Sequence, residues 1–179
     1  MTYLILYINE LLDQEKTDKL KDYLSPIIDK TNRAHRVICQ NPAVDAIANH
    51  YDEIARSKNV TVRFAFDLDE TLPISESDIC TVMGNLVENA IRAAEQLEEE
   101  RRSVSVSIGL IKPKTLVICI ENAYKGRLTS DKNGLPTAKK KDHGIGLRSV
   151  KNTVERYGGS MEIETHNQIF KVSILMYGD

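Results

Sequence analysis

Two groups of residues in this chain have types and spacings that could do chemistry. Asn85, Glu88, Asn89 and Arg92 fall three and four residues apart in NLVENAIRAA, and His143-Gly144-Ile145-Gly146-Leu147 follows much further along the chain. On a helix, spacings of three and four place side chains on one face, so a single ligand could meet all four. An asparagine carbonyl is a neutral oxygen ligand suited to Mg²⁺ alongside phosphate oxygens and waters, and Arg92 could offset phosphate charge one turn on. Gly144 and Gly146 would let backbone N–H groups approach phosphates, with the positive end of a helix starting near Leu147 behind them. Each group alone has a plainer reading, as a turn or as a solvated helix face. Asparagine, however, is a mediocre helix former that a solvated face need not choose twice. Together the two groups fit ATP with Mg²⁺. Gly146 is followed by Leu147, Arg148 and Ser149, so the third glycine of a dinucleotide fingerprint is missing, and no P-loop lysine follows.

The elements that would position these groups can be read from periodicity. Ser75 and Asp78, after Pro73, form an S-x-x-D capping box that predicts a helix to about Glu98. Ile79, Val82, Met83, Leu86, Ala90, Ala94 and Leu97 would be its buried stripe, with the polar quartet roughly 140° around the helix. Strands are predicted at Val60 to Phe66, Val104 to Leu110 and Thr115 to Ile120. The polar stretch from Ala123 to Asp142, which includes Lys139, Lys140 and Lys141, has no apolar period and reads as a lid or insertion. A helix over 147–157 closes at Gly158 and Gly159, and a hairpin turning at Asn167 and Gln168 joins Met161–Thr165 to Phe170–Met176. Upstream, stripes through Tyr3, Leu4, Tyr7, Ile8, Leu11 and Leu12 and through Leu20, Tyr23, Leu24, Ile27 and Ile28 predict an antiparallel helical hairpin. Pro42 opens a third helix to about Lys58. The fold class is therefore α+β, with five strands and three helices, preceded by the hairpin. Two thin amphipathic helices make a poor core, so the hairpin is expected either to dimerise as a four-helix bundle or to pack on the downstream domain.

Composition excludes several function classes. The 179 residues carry 24 Lys and Arg against 26 Asp and Glu, so no broad basic field favours nucleic acid. Cys39, Cys80 and Cys119 are far apart, and the four histidines form no HExxH, so neither a disulfide framework nor a zinc site is indicated. No apolar run reaches the roughly 18 to 20 residues of a membrane span.

Asn85-Leu86-Val87-Glu88-Asn89-Ala90 resembles the N box, and His143-Gly144-Ile145-Gly146-Leu147 the second glycine box, of the histidine-kinase branch of the GHKL ATPase superfamily. The order of elements between and after them is similar to that of its ATP-binding sandwich. The wording NxxxNAIxAA and HGIGLxxVxxxVExYGG, ending here in Val154-Glu155-Arg156-Tyr157-Gly158-Gly159, is nearest to the compact catalytic domains of peptide-responsive quorum-sensing kinases. The resemblance implies a Bergerat-type two-layer α/β sandwich with a mixed five-stranded sheet over 41–179, a lid at about 123–143, and a partial dimerisation region over 1–40. It also implies that Asn89 holds Mg²⁺, Asn85 lies beside the triphosphate, Arg92 meets terminal phosphates, and Asn122 recognises the adenine amino group where relatives place an aspartate. His143, Gly144, Ile145, Gly146 and Leu147 would line the phosphates. Ala123 and Tyr124 replace the glycines usual after the adenine residue.

The activity implied is transfer of the ATP γ-phosphoryl group to a histidine for relay to the receiver domain of a response regulator, in a homodimer. Water-splitting relatives carry a glutamate four residues before the magnesium asparagine. Asn85 cannot take a proton at neutral pH, which leaves Glu88 as a weak candidate base. Residues 1–34 hold no histidine, and His35 and His50 fit no acceptor motif, so the acceptor is expected upstream of Met1, between a membrane-embedded sensor and this cytoplasmic region. Alternatives are a noncatalytic nucleotide-dependent interaction switch and a GHKL-type ATPase.

Overall fold

The computed structural model describes residues 7, 10–11, 14, 16–22, 36–112, 114–126, 129–130, 136–137 and 145–178. The chain divides into two compact units, Met1–Arg36 and Val37–Asp179. In the first, residues 17–22 are helical, the Leu20 N–H donates to Lys16 O at 3.1 Å, and Leu11 is buried. Tyr3, Leu4, Ile8 and Leu12 of the first expected stripe and Tyr23, Leu24, Ile27 and Ile28 of the second lie outside the described residues, as does His35.

The second unit is an α+β two-layer sandwich. Its elements run α1 (Pro42–Ser57), β1 (Thr61–Asp67), α2 (Glu76–Ala94), β2 (Ser103–Lys112), β3 (Thr115–Ala123), β4 (Thr129–Ser130), β5 (Pro136–Thr137), α3 (Ile145–Arg156), β6 (Ser160–His166) and β7 (Ile169–Tyr177). The main sheet has the order β1-β2-β3-β7-β6; β1 and β2 are parallel, joined by the crossover that contains α2, and the remaining pairs are antiparallel. The short β4 and β5 pair with each other inside the expected lid, while the lysine run at 139–141 lies outside the described residues.

Strand alternation gives the sheet one apolar face. Val104, Val106 and Ile108 of β2, Leu116, Ile118 and Ile120 of β3, and Val172, Ile174 and Met176 of β7 are buried against the helices. Helix α2 is central, packing on β2 and β3 and flanked by α1 and α3. Flanking on both sides explains why its buried surface includes Val87 and Ile91 beyond the single stripe expected. Fully burying side chains of this size stabilises by about 1.5–3 kcal/mol each, so this face holds the sandwich together.

Three local outcomes differ from expectation. Helix α2 stops at Ala94 rather than near Glu98; Leu97 stays buried through a turn whose carbonyl accepts from Arg102 Nε at 2.9 Å. The Ser75–Asp78 capping box does not form, because Ser75 makes no side-chain cap bond and the Asp78 carboxylate is taken by Tyr157 and Arg156. Helix α1 gains a cap that Pro42 alone did not reveal: Asn41, fully buried, accepts from Val44 N–H at 3.0 Å and donates to Glu70 O at 2.7 Å. The β6–β7 hairpin turns where expected, at Asn167 (φ 49°) and Gln168 (φ 61°). Two successive positive φ values match the right-handed twist of the flanking strands.

Candidate functional site

The site is built where the N-terminal end of α3 meets the middle of α2. Helix α3 runs antiparallel to α2: Gly146, in its first turn, faces Asn85 and Asn89, whereas Arg156 and Tyr157 at its far end reach Asp78 and Ser75. Gly146 is closely opposed by the two asparagines. A Cβ at this position would lie 3.0 Å from Asn85 Oδ1 and 3.3 Å from Asn89 Nδ2. Hydrogen added at Cα is thus all the side chain that the backbone can carry here without pushing an amide aside. The two sequence motifs meet in space, and what joins them is the missing side chain of Gly146.

Asn85 is fixed from its own helix, donating Nδ2 to Thr81 O at 2.8 Å, so its Oδ1 is the atom directed at Gly146. Asn85 and Asn89 are both half-buried, which leaves their polar ends within reach of a ligand. Glu88 and Arg92, on the same helix, pair with each other at 2.5 Å with their side chains 55% and 43% exposed. An exposed i,i+4 pair of this kind contributes about 0.3–0.5 kcal/mol, so a phosphate could displace it at small cost. Tyr51 of α1 lies behind them. Its hydroxyl is 3.4 Å from the Cβ position of Gly84, and burial, with the nearby Glu88 charge next, raises its pKa above the ordinary value.

Asn122, the penultimate residue of β3, is on the sheet face shared with the buried Ile118 and Ile120, is itself 5% exposed, and donates Nδ2 to Ala123 O at 2.9 Å. It lines a cleft of about 300 Å³ together with Arg63, Ser105, Glu121, Ala123 and Ile169, a set that includes none of the α2 quartet. Leu147 is buried in the core at the start of α3. Ile145 begins α3, its side chain being outside the described residues, as are His143 and Gly144.

Sequence reasoning missed the group that holds α3 in place. Tyr157 Oη donates to Asp78 Oδ2 at 2.7 Å, Arg156 Nη2 donates to Asp78 Oδ1 at 2.7 Å, and Ser75 N–H donates to Tyr157 Oη at 3.2 Å. Tyr157 thereby serves the backbone donor at the start of α2 that a capping box would have served. The signal available was the Tyr157-Gly158-Gly159 run after a helix, whose glycines have separate tasks. Gly158 takes a left-handed φ of 59° to end α3, and Gly159 passes so near β7 that a Cβ would stand 2.0 Å from Leu175 O.

Comparison with known proteins bears on the family and the fold. A family model described as GHKL domain matches residues 74–177, from just before α2 to the end of β7. The chain is 26% identical over 122 residues to the sensor histidine kinase CitA of Klebsiella pneumoniae, covering 62% of this chain and 22% of that protein. It is 25% identical over 147 residues to a probable C4-dicarboxylate sensor kinase of Bacillus subtilis, covering 76% of this chain and 26% of that one. The chain thus spans about a quarter of the length of these relatives. Among solved structures, a nucleotide-free catalytic domain of the histidine kinase ThkA superposes with a TM-score of 0.59 at 18% identity, over 76% of this chain and 92% of that one. The histidine kinase AdeS of Acinetobacter baumannii gives 0.56 at 15% identity, over 96% and 83%. These structural likenesses carry the fold, which is that of a histidine-kinase catalytic domain.

Proposed function

We propose, because the chain belongs to the GHKL domain family, that its second unit is the ATP-binding catalytic region of a two-component sensor histidine kinase. The observation that carries this reading is the approach of Gly146 to Asn85 and Asn89. That approach is a cradle in which a side chain would displace the two amides and in which backbone N–H groups at a helix start stand beside the Asn85 carbonyl oxygen and the Asn89 amide. The residues fit Mg-ATP. Asn89 would hold Mg²⁺ through its amide oxygen, and Arg92, released from Glu88, would meet the terminal phosphates. Asn85 and the turn from His143 to Leu147 would line the triphosphate. Asn122, with Nδ2 engaged by Ala123 O, offers its carbonyl oxygen to the adenine amino group.

Bound Mg²⁺ supplies charge neutralisation of the phosphate oxygens, and the protein's part is positioning and electrostatics. Asn85 has no proton-accepting group at neutral pH, and its Nδ2 already donates to Thr81 O, so activation of water is not a task it can perform. The γ-phosphoryl group would pass to a histidine carried on another segment of a longer natural protein, then to the receiver domain of a response regulator. That longer protein would be a homodimer, with this region on the cytoplasmic side of an anchoring sensor. Among the described residues no helix is long and apolar enough to cross a membrane.

Calorimetry with Mg-ATP and a phosphorylation assay on a chain extended upstream test the proposal. Micromolar to submillimolar binding that Asn89→Ala abolishes, with an acid-labile phosphohistidine on the longer chain, is the expected result. Binding without transfer by the longer chain would make the domain a nucleotide-dependent interaction switch. Sustained phosphate release would make it an ATPase.

A further inference from the structure

We propose that Asp78 and Tyr157 are positioning residues for the nucleotide site, setting the lengthwise register of α3 on α2 and hence the placement of Gly146 against Asn85 and Asn89. The proposal rests on the nucleotide reading of that site. The apolar contact between the helices involves Leu147, Val150 and Val154 of α3 and Ile79, Val82, Met83 and Leu86 of α2, all in one buried cluster. Apolar burial is non-directional, so such a contact resists separation much more than it resists sliding. Direction comes from the polar groups at the far end. Asp78 takes Tyr157 on Oδ2 and Arg156 on Oδ1, both at 2.7 Å, while Tyr157 Oη also receives the Ser75 N–H. Three bonds on one carboxylate–phenol pair fix that end in two directions at once. The Asp78–Tyr157 bond is part-buried and so better shielded from water than the exposed Glu88–Arg92 pair, while the Arg156 bond, like that pair, is exposed.

An α-helix is stiff along its axis, so a shift at Tyr157 is carried to Gly146, eleven residues or about 16 Å away. At Gly146 there is little room to spare, because even a single Cβ there would stand 3.0 and 3.3 Å from the asparagine amides. Misplacement of a bound group by about 1 Å can cost up to a hundredfold in function. The hydroxyl of Tyr157 therefore acts at a site it does not touch.

The test compares Tyr157→Phe, Asp78→Asn and the double variant in the full 179-residue chain. Phenylalanine keeps the ring, which packs against the core, and removes only the hydroxyl. The amide resonance of Gly146, one of nine glycines, is followed in nucleotide-free protein, and Mg-ATP affinity is measured well below the unfolding temperature. The expected result is a displaced Gly146 resonance and an affinity weaker by about tenfold in each single variant. The double variant should be no weaker than the singles, as residues of one device are not additive. A Gly146 resonance that stays in place, with affinity within about twofold of the parent and only the melting temperature lowered, would make the pair a stability tie and overturn the proposal. Asn89→Ala, measured alongside, separates the two failures: if it binds Mg-ATP like the parent, the nucleotide reading falls and takes the proposal with it.

Discussion

Gly146 stands against Asn85 so closely that a Cβ on it would come within 3.0 Å of the amide oxygen. Replacing this glycine sets two effects against each other. Alanine is the better helix residue by about 0.5–1 kcal/mol, yet its methyl must push the Asn85 and Asn89 amides by a few tenths of an ångström. Those side chains are half-buried and can yield outward. Gly146→Ala is therefore expected to melt within a few degrees of the parent and to bind Mg-ATP at least about tenfold more weakly. Thermal unfolding and calorimetry on one preparation check this; equal loss of fold and binding would show that Gly146 serves packing alone.

How much of this was legible in the sequence depends on how far each signal had to reach. The quartet on α2 was readable because its spacing is local, and the structure leaves Asn85 and Asn89 beside the glycine while closing Glu88 and Arg92 on each other. The two-residue turn at Asn167 and Gln168 was readable for the same reason. The expected capping box failed because its competitor, Tyr157, lies 82 residues beyond Ser75, and no local pattern reports a partner at that distance. Asn41 before Pro42 was a local signal that the proline overshadowed, although its role also depends on Glu70 O across the fold. For His143 and Gly144, outside the described residues, the assignment stays with the motif.

Glu88 offers a test of whether Arg92 is held in reserve. In Glu88→Gln the guanidinium loses a partner 2.5 Å away, and one negative charge leaves the neighbourhood of the proposed triphosphate. Mg-ATP affinity should then rise about twofold, the factor to which an exposed i,i+4 ion pair of about 0.3–0.5 kcal/mol corresponds. Phosphoryl transfer in the longer chain should fall if Glu88 also takes a proton. Titration calorimetry decides the first point; weaker binding by Glu88→Gln would mean that the pair holds Arg92 in its working position.

The Asp78–Tyr157 tie should leave a mark on stability against pH. The Tyr157 hydrogen bond, opposed by burial and aided by Arg156, holds the Asp78 carboxyl below its ordinary 3.8, and a depressed carboxyl stabilises the fold above that value and ceases to do so as pH falls through it. Tyr157 is pushed above its ordinary 10.0, chiefly by burial and then by Asp78, so its contribution is complete below 10.0 and is lost as pH rises through the raised value. Asp78→Asn should therefore cost about 1 kcal/mol near neutral pH, with the gap from the parent closing below 3.8. Urea denaturation at stepped pH values measures that gap, and a gap that persists into strong acid would remove the carboxylate from the account.

Gly158 and Gly159 allow the close of α3 to be taken apart residue by residue. At Gly158 the backbone is left-handed, with φ at 59°, but nothing lies within 4 Å of a would-be Cβ. Alanine there meets only the conformational cost of about 1–2 kcal/mol, and asparagine, which tolerates that region, should recover part of it. At Gly159 the obstacle is the β7 backbone itself, with Leu175 O 2.0 Å and Val154 Cγ1 3.0 Å from a would-be Cβ. A carbonyl in a sheet cannot rotate away as a side chain can, since Leu175 pairs with Val117 on one side and Ser160 on the other. Gly159→Ala is expected to cost more than about 3 kcal/mol, the range reached when a packed backbone must be displaced, and Gly159→Asn should fare no better. Denaturation midpoints of the four variants check the contrast. Equal sensitivity at 158 and 159, or rescue of 159 by asparagine, would mean that φ rather than the approach to Leu175 governs this turn.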